Sequence, residues 1–183
     1  IDNLINIYKP KYIFQKKDLH AHNDYSLSSK LKDYSFFLRD VYEEIKLHPN
    51  LALLLSTSGS TGSPKLVRLT KKNLTSNAIS ISKYLNIKSN DRAISSLPFN
   101  YSYGLSVINS HLKSGGSIVL TNSSMMEREF WSLINKHSVT SFAGVPYNYE
   151  MLLRLGIDRL KIPSVRKMTQ AGGKLSIDNL SKI

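Results

Sequence analysis

The chain has 183 residues, 41% hydrophobic and 21% charged, which is the size and composition of one globular domain. With 25 Lys and Arg against 13 Asp and Glu, its formal charge is +12, so nucleic acids, anionic membranes and phosphate-rich ligands are all conceivable partners. The absence of Cys excludes disulfides, thiolate metal sites and a Cys nucleophile, and no apolar run approaches the roughly 20 residues of a membrane span.

The positive residues are scattered along the chain. Lys16-Lys17, Lys71-Lys72 and the basic residues between 154 and 167 lie far apart in sequence and form no dense tract. This distribution favours a solvated lysine-rich surface over a nucleic-acid-binding face, so we predict no nucleic-acid partner. The lack of Cys and of a signal-peptide pattern leads us to predict a cytoplasmic protein.

The first 50 residues give the weakest pattern. Residues 11–15, KYIFQ, predict a short strand, and residues 18–29 read as a loop. Residues 34–47, YSFFLRDVYEEIKL, predict a helix that His48-Pro49-Asn50 ends.

The pattern sharpens from Leu51 onward. Residues 51–55 and 66–70 predict two strands joined by a Ser/Thr/Gly loop, and Thr70 is the expected N-cap of a helix over 71–87. Further strands are predicted at 92–99, 117–121, 140–144 and 165–170, alternating with helices at 104–115, 127–137 and 146–156.

This alternation predicts a layered α/β fold, a mostly parallel sheet flanked by helices. Ligands of such sheets bind beyond the carboxyl ends of the strands. Here those ends are followed by the loops after Leu55, Leu97, Thr121, Gly144 and Gln170.

The loop TSGSTGSPK, residues 57–65, has the components of a polyphosphate site. Its backbone N–H groups are unshielded by large side chains, several hydroxyls can donate, and Lys65 supplies a positive charge. An ordinary Gly/Ser-rich turn explains the composition equally well. The Walker A pattern fails, because Pro64 stands where the second glycine should be and a strand follows Lys65.

The same loop resembles the phosphate-binding signature of the adenylate-forming (AMP-binding) enzymes, which include acyl- and aryl-CoA synthetases, luciferases and adenylation domains. Three further segments resemble that superfamily in the expected order: LPFNYSYGL (97–105), GVPYNYEMLLRL (144–155) and TQAGGKLS (169–176). The resemblance covers roughly residues 48–176, and ordered motifs of this length are specific.

The resemblance implies the central part of the large N-terminal domain of an ATP- and Mg²⁺-dependent carboxylate ligase. Such an enzyme forms an acyl-adenylate and pyrophosphate, and the acyl group then passes to the thiol of CoA or of a carrier protein's phosphopantetheine. By resemblance, the ATP phosphates would be held by Thr57, Ser58, Gly59, Ser60, Thr61, Gly62 and Lys65. Gly172 and Gly173 would let the backbone approach the adenine and the acyl group, although a turn at the end of a strand also needs glycines.

The aromatic segment departs from the family at one position. Many acyl- and aryl-CoA ligases carry a His three residues before the Gly-Leu pair, where this chain has Tyr101. Tyr101 and Tyr103 are candidate substrate contacts, through ring stacking or a hydroxyl hydrogen bond. Packing is an equally good reading of Phe99, Tyr101 and Tyr103, and the departure leaves the class of the acid open.

Other polar residues favour structural roles. His20 and His22 have no third ligand at metal spacing, so no metal site built from side chains is predicted. His111 and His137 fall near predicted helix ends, where a cation complements the helix dipole. Asp40, Glu43 and Glu44 are assigned to a helix surface, and the remaining candidates are assigned to packing: Met125, Met126 and Trp131.

By resemblance, an aromatic-Gly-x-Thr-Glu segment, a ribose-binding Asp and a small C-terminal lid domain should follow this region. We therefore predict one partial AMP-binding domain over residues 1–183, with a lead-in at 1–50, an α/β core at 51–183 and no lid. Alone it is expected to be inactive. Two alternatives stay open: a folded non-catalytic scaffold and a basic nucleic-acid-binding domain.

Overall fold

The computed structural model describes residues 2–17, 22–42, 44–56, 66–156 and 159–183. The chain divides into two compact units, Ile1–His48 and Pro49–Ile183. Among the described residues, none of the helices combines the length and apolar character that crossing a bilayer requires.

The first unit is a three-stranded antiparallel sheet with one short helix. Helix α1 (Asp2–Tyr8) precedes strands β1 (Tyr12–Lys16), β2 (Tyr25–Leu31) and β3 (Tyr34–Arg39), which are ordered β1-β3-β2. Alternate side chains of β1 and β3 point to one face, where Ile13 and Phe37 pack with Ile5 and Tyr25 in a small core. The strand predicted at 11–15 is confirmed.

Two predictions for this unit are wrong. The helix predicted over 34–47 is instead strand β3 followed by a bend and irregular chain at its described positions. Tyr34–Arg39 pairs with β1 on one side and β2 on the other, so sheet hydrogen bonds on both edges override the local helical pattern. The loop predicted over 18–29 ends earlier, because β2 begins at Tyr25.

The acidic residues assigned to that helix surface therefore lie elsewhere. Asp40 follows β3 and accepts a hydrogen bond from the Ser26 hydroxyl. Glu44 lies in irregular, exposed chain, and Glu43 falls outside the described residues.

The second unit begins with an antiparallel hairpin, as predicted. Strand β4 (Leu51–Ser56) pairs with β5 (Leu66–Thr70), and helix α2 (Lys71–Tyr84) follows at once. Thr70 is the N-cap: its Oγ1 accepts from the Asn73 N–H at 3.1 Å, and the Asn73 Oδ1 accepts from the Thr70 N–H at 2.9 Å. This reciprocal pair satisfies two backbone donors that a helix start otherwise leaves open.

The remaining strands form the predicted parallel sheet. Strands β6 (Arg92–Ile94), β7 (Ser117–Val119), β8 (Ser141–Gly144) and β9 (Lys167–Gln170) are ordered β7-β6-β8-β9, and every neighbouring pair is parallel. The connecting helices are α3 (Ser102–Lys113), α4 (Arg128–Lys136) and α5 (Pro146–Leu155), and α6 (Ile177–Leu180) follows β9. The α/β fold class is confirmed.

The main core lies between this sheet and helices α4 and α5. Phe130 and Ile134 from α4 pack with Ile94 and Phe142 from the sheet and Leu152 from α5. Met125 and Trp131 belong to the same packing, as predicted, and the Trp131 Nε1–H donates to the Met125 carbonyl at 2.7 Å. Met126 is exposed, so its predicted packing role is wrong.

Asp91 ties together the amino ends of three strands. Only 1% of this residue is exposed, yet its carboxylate accepts from Lys167 Nζ at 2.6 Å, Arg166 Nη2 at 2.7 Å and the Thr140 hydroxyl at 2.9 Å. Burial alone would raise the pKa of Asp91. The hydrogen bonds from Lys167, the Lys88 N–H, Thr140 and Arg166 outweigh burial and hold that pKa well below its usual range.

Candidate active site at the carboxyl ends of the parallel strands

A cleft of about 770 Å³ opens in the second unit. Its volume lies in the range of small-molecule and cofactor sites. Four elements meet there: the β4–β5 hairpin, the first two turns of α2, the first two turns of α3 as far as Asn109, and the turn after β9. The polar residues that line it are Arg68, Asn73, Asn77, Tyr101, Ser102, Tyr103, Ser106 and Asn109.

Both tyrosines predicted as substrate contacts line this cleft. Tyr101 is the N-cap residue of α3, is 36% exposed and meets the Tyr103 ring edge-on, with ring centroids 6.4 Å apart. The Tyr103 hydroxyl donates to Thr169 Oγ1 at 2.7 Å, which fixes the ring against β9. Burial raises the pKa of Tyr103, so this phenol is a hydrogen-bond donor at neutral pH.

Gly172 lies directly against Tyr101. Its φ of +81° is in the left-handed region, and a Cβ built there would stand 2.5 Å from the Tyr101 hydroxyl oxygen. Glycine is therefore needed both for the turn and for the close approach. A Cβ on Gly173 would meet the Pro146 ring at 3.0 Å, so Gly173 contacts the start of α5, and it does not line the cleft.

The predicted phosphate-binding residues lie outside the described residues: Thr57, Ser58, Gly59, Ser60, Thr61, Gly62 and Lys65. The strands on either side of that loop are described. Leu55 of β4 and Arg68 of β5 both line the cleft. The loop's role in phosphate binding stays a prediction.

A second, smaller cavity of about 320 Å³ adjoins the cleft. The two share Tyr103 and Ala171. Much of its lining is apolar and comes from α2 and the residues just after it, from α3 and from strands β8 and β9: Ile81, Leu85, Ile87, Val107, Phe142, Ala143 and Met168.

His111 lines this smaller cavity and corrects one expectation. It is buried, its Nδ1 lies 2.8 Å from the Val107 carbonyl oxygen and its Nε2 lies 2.9 Å from Ser141 Oγ. A carbonyl can only accept, so Nδ1 carries the proton and the neutral ring accepts from Ser141 at Nε2. Burial lowers the pKa of His111, hence a cation complementing the helix dipole is the wrong explanation.

His137 and His22 make contacts of a structural kind. His137 is the C-cap of α4, and its carbonyl accepts from the Arg92 guanidinium. In the first unit, the His22 ring contacts Gln15 and Asp2. Within residues 2–17, 22–42, 44–56, 66–156 and 159–183, no three His, Cys, Asp or Glu side chains group as metal ligands, and His20 lies outside those ranges.

Arg68, Asn77 and Asn109 are among the cleft residues that sequence reasoning missed. Asn77 lies one turn after Asn73 on α2, and Asn109 lies one turn after Leu105 on α3. Residues four apart lie on the same face of a helix, so this spacing could have been recognised in the sequence. Nothing in the sequence showed that β5, α2 and α3 would turn these side chains to the same space.

The family model for AMP-binding enzymes matches residues 9–182. The chain therefore belongs to the AMP-binding enzyme family, which confirms the resemblance seen in its motifs. The anguibactin system regulator of Vibrio anguillarum is 31% identical over an alignment 163 residues long, which covers 81% of this chain and 15% of that protein.

Two solved structures are similar to this chain. ATP-bound MatB from Rhodopseudomonas palustris matches with a TM-score of 0.64 and 25% identity, over 79% of this chain and 29% of that one. The O-succinylbenzoate coenzyme A synthetase MenE from Bacillus subtilis, in complex with AMP, matches with a TM-score of 0.62 and 30% identity, over 70% and 26%. The chain thus spans less than a third of the length of each of these three relatives.

The donor set of the cleft fits an anionic ligand. Its described lining offers the Arg68 guanidinium, side-chain amides and hydroxyls, and includes no Asp or Glu. Helix α3 begins at the cleft, so the N–H groups of its first turn bring the positive end of the helix dipole there. An anionic ligand is the chemistry that this lining favours.

Proposed function

We propose that the chain is part of an ATP-dependent carboxylate ligase that forms an acyl-adenylate and releases pyrophosphate. Membership of the AMP-binding family supports this proposal. The observation that carries it is the meeting of two separate motifs in one cleft. Tyr101 and Tyr103 from the aromatic segment lie with Gly172 from the glycine-rich turn, beyond the carboxyl end of β9.

In the first step, a carboxylate oxygen of the acid bonds to the α-phosphorus of ATP while the bond from that phosphorus to the bridging oxygen breaks, and pyrophosphate leaves. Such a transfer depends mainly on positioning and on neutralising charge. The proposed donors to an anionic oxygen in the cleft are the Tyr101 hydroxyl and the N–H groups of the first turn of α3, because both line it. Thr57, Ser58, Gly59, Ser60, Thr61, Gly62 and Lys65 are the proposed phosphate ligands, with Mg²⁺ as the counter-ion.

In the second step, a thiol attacks the carbonyl carbon of the acyl-adenylate, a thioester forms and AMP leaves. The use of CoA is proposed because the similar protein MenE is a coenzyme A synthetase. A carrier-protein phosphopantetheine is the other thiol of the right chemistry, so an acyl carrier protein is a proposed partner. Gly172 and Gly173 are the proposed points of backbone approach to the adenylate, and the cytoplasm stays the predicted location.

ATP–pyrophosphate exchange tests this function. The protein from the full reading frame is assayed with amino, aryl, short-chain and long-chain carboxylic acids, and ATP binding is measured separately by calorimetry. We expect one acid class to stimulate exchange, and Lys65→Ala to abolish it because the phosphates lose their ammonium ligand.

The matched control is Lys72→Ala, which removes the same charge from an exposed position on α2 that does not line the cleft. It should leave exchange intact. A wild-type protein that neither binds ATP nor exchanges pyrophosphate with any acid would overturn the proposal in favour of the scaffold alternative.

A further inference from the structure

One wall of the cleft carries three polar side chains that nothing else in the described chain uses. Arg68, Asn77 and Asn109 all line the cleft. Across the ranges that the structure describes, none of these three side chains forms a hydrogen bond or an ion pair, whereas the side chains of Asn73 and Tyr103, which also line the cleft, are bonded to Thr70 and Thr169. We call these three residues the Arg68 wall.

The Arg68 wall converges from three different elements. Arg68 is on β5, paired with Leu54 in the hairpin, Asn77 is on the exposed side of α2, and Asn109 is on α3. Asn109 is partly buried although its amide has no partner among the described residues. The amide can donate and accept, so this side chain is able to bond a ligand that enters the cleft.

The chemistry of the wall selects an oxyanion. A guanidinium donates in a planar fork that matches a carboxylate, and two amides add further donors. The described lining of the cleft has no Asp or Glu that would repel such a group or compete for Arg68. The smaller cavity offers a contrast, since its lining is largely apolar.

The wall is separated from the start of α3. Asn109 lies seven residues after Ser102 on the same helix. At the rise of an α-helix this separation is about 10 Å along the axis. A ligand that reaches from Tyr101 and Ser102 to Asn109 therefore has room for two charged ends.

We propose that the Arg68 wall binds a second anionic group of the acid substrate, so that the substrate class is acids with two anionic ends, dicarboxylates first. This inference rests on the proposed ligase function. A phosphate of ATP or CoA has the same oxyanion chemistry. The experiment below distinguishes such a phosphate from the second anionic group of the acid.

Exchange kinetics provide the first test. The full-reading-frame enzyme is assayed with unbranched α,ω-dicarboxylic acids of increasing length and with the monoamide of each. We expect the best diacid to exceed its monoamide in kcat/KM by roughly ten-fold or more, the value of a charged hydrogen bond. Arg68→Gln should remove that advantage, with the KM for ATP unchanged.

Two variants make the result specific. Arg154→Gln removes the same charge from an exposed site at the end of α5, outside the cleft, and should keep the diacid preference. Asn77→Ala, on the exposed side of α2, should weaken the preference without touching Arg68. Equal use of diacid and monoamide by the wild type would overturn the inference. An Arg68→Gln enzyme with a raised KM for ATP or CoA with every acid would assign the wall to phosphate instead.

A binding measurement separates this inference from the ligase function. The best diacid of the series and its monoamide are titrated into the protein without ATP, and chemical-shift changes are followed by NMR. If the diacid binds and Arg68→Gln abolishes that binding, the result supports the proposed anion-binding role of the Arg68 wall even if no acid stimulates exchange. If the enzyme exchanges pyrophosphate but shows neither a diacid preference nor Arg68-dependent diacid binding, the proposed ligase function stands and the proposed role of the Arg68 wall is wrong.

Discussion

At the residue scale, Tyr101 and Gly172 depend on each other. The turn after β9 needs a left-handed φ of +81° at Gly172, and the Tyr101 hydroxyl occupies the space that a side chain would need. The two residues are 71 positions apart in the sequence yet define one corner of the cleft. A side chain at position 172 is therefore excluded as long as Tyr101 keeps its position.

Gly172→Ala should destabilise the protein by about 1–2 kcal/mol, the cost of a left-handed conformation for an L-residue. Adding Tyr101→Phe removes the hydroxyl nearest the new Cβ and should recover part of any further loss from the contact. Urea unfolding of the wild type, both single variants and the double variant measures the coupling. Strict additivity would show that the hydroxyl does not restrict this turn.

Asp91 gives the second residue-scale prediction. Asp91→Asn removes the carboxylate that Lys167, Arg166 and Thr140 share, and should cost about 2–3 kcal/mol because Arg166 and Lys167 stay partly solvated, at 53% and 24% exposure. The folded-state pKa of Asp91 is lowered, so its stabilisation is complete above the unfolded-state pKa and declines as pH falls below about 4.

The measurement is the free energy of unfolding from about pH 7 down to about pH 3 for both proteins. We expect the difference between wild type and Asp91→Asn to shrink as the pH falls through this window. A difference that stays constant with pH would show that the ionised carboxylate is not what holds the strand ends.

At the element scale, His111 connects helix α3 to strand β8. Its ring bridges the Val107 carbonyl and the Ser141 hydroxyl, with Asp91 and Lys167 also near enough to influence its charge. Burial lowers the folded-state pKa of His111 below its ordinary 6.5. The unfolded chain then binds more protons, so this bridge loses stability as pH falls below about 6.5.

We predict that His111→Gln, which cannot titrate, flattens the loss of stability between about pH 6.5 and pH 5. Thermal or urea unfolding at intervals across that range measures the slope. The matched control is His137→Gln, which leaves the α3–β8 bridge untouched. Identical slopes for wild type and His111→Gln would rule out titration of the bridge.

The elements also show where sequence patterns suffice. Thr70 was predictable as an N-cap because capping is local: Thr70 and Asn73 satisfy each other within one turn. The segment 34–47 was mispredicted because its apolar residues fit a helix locally, while pairing with β1 and β2 decides its state. Strand choice in that unit is made by partners distant in sequence.

At the scale of the whole molecule, the two units have unequal cores. The core of Pro49–Ile183 joins a four-stranded sheet to two helices, whereas that of Ile1–His48 consists of Ile5, Ile13, Tyr25 and Phe37. The other face of the first unit's sheet exposes Tyr12, Phe14 and Tyr34. A unit of this size buries too little apolar area to be more than marginally stable.

Residues 49–183 expressed alone should therefore keep their own cooperative unfolding transition. Circular dichroism and differential scanning calorimetry of this shortened chain and of all 183 residues provide the comparison. Residues 1–48 expressed alone serve as the reciprocal sample and should show no such transition. A shortened chain without cooperative unfolding would show that the first unit is needed to fold the second.

By itself, the sequence determined the parallel α/β core, the β4–β5 hairpin, the cap at Thr70 and the family, because each depends on local periodicity or on contiguous motifs. It also identified Tyr101 and Tyr103 in the aromatic segment and Gly172 in the glycine-rich segment as candidate site residues. Only the tertiary structure decided that these residues share one cleft, that His111 is a neutral buried bridge and that Asp91 secures three strand ends. Such contacts join residues far apart in the chain, and their burial and charge exist only once the sheet and helices have packed.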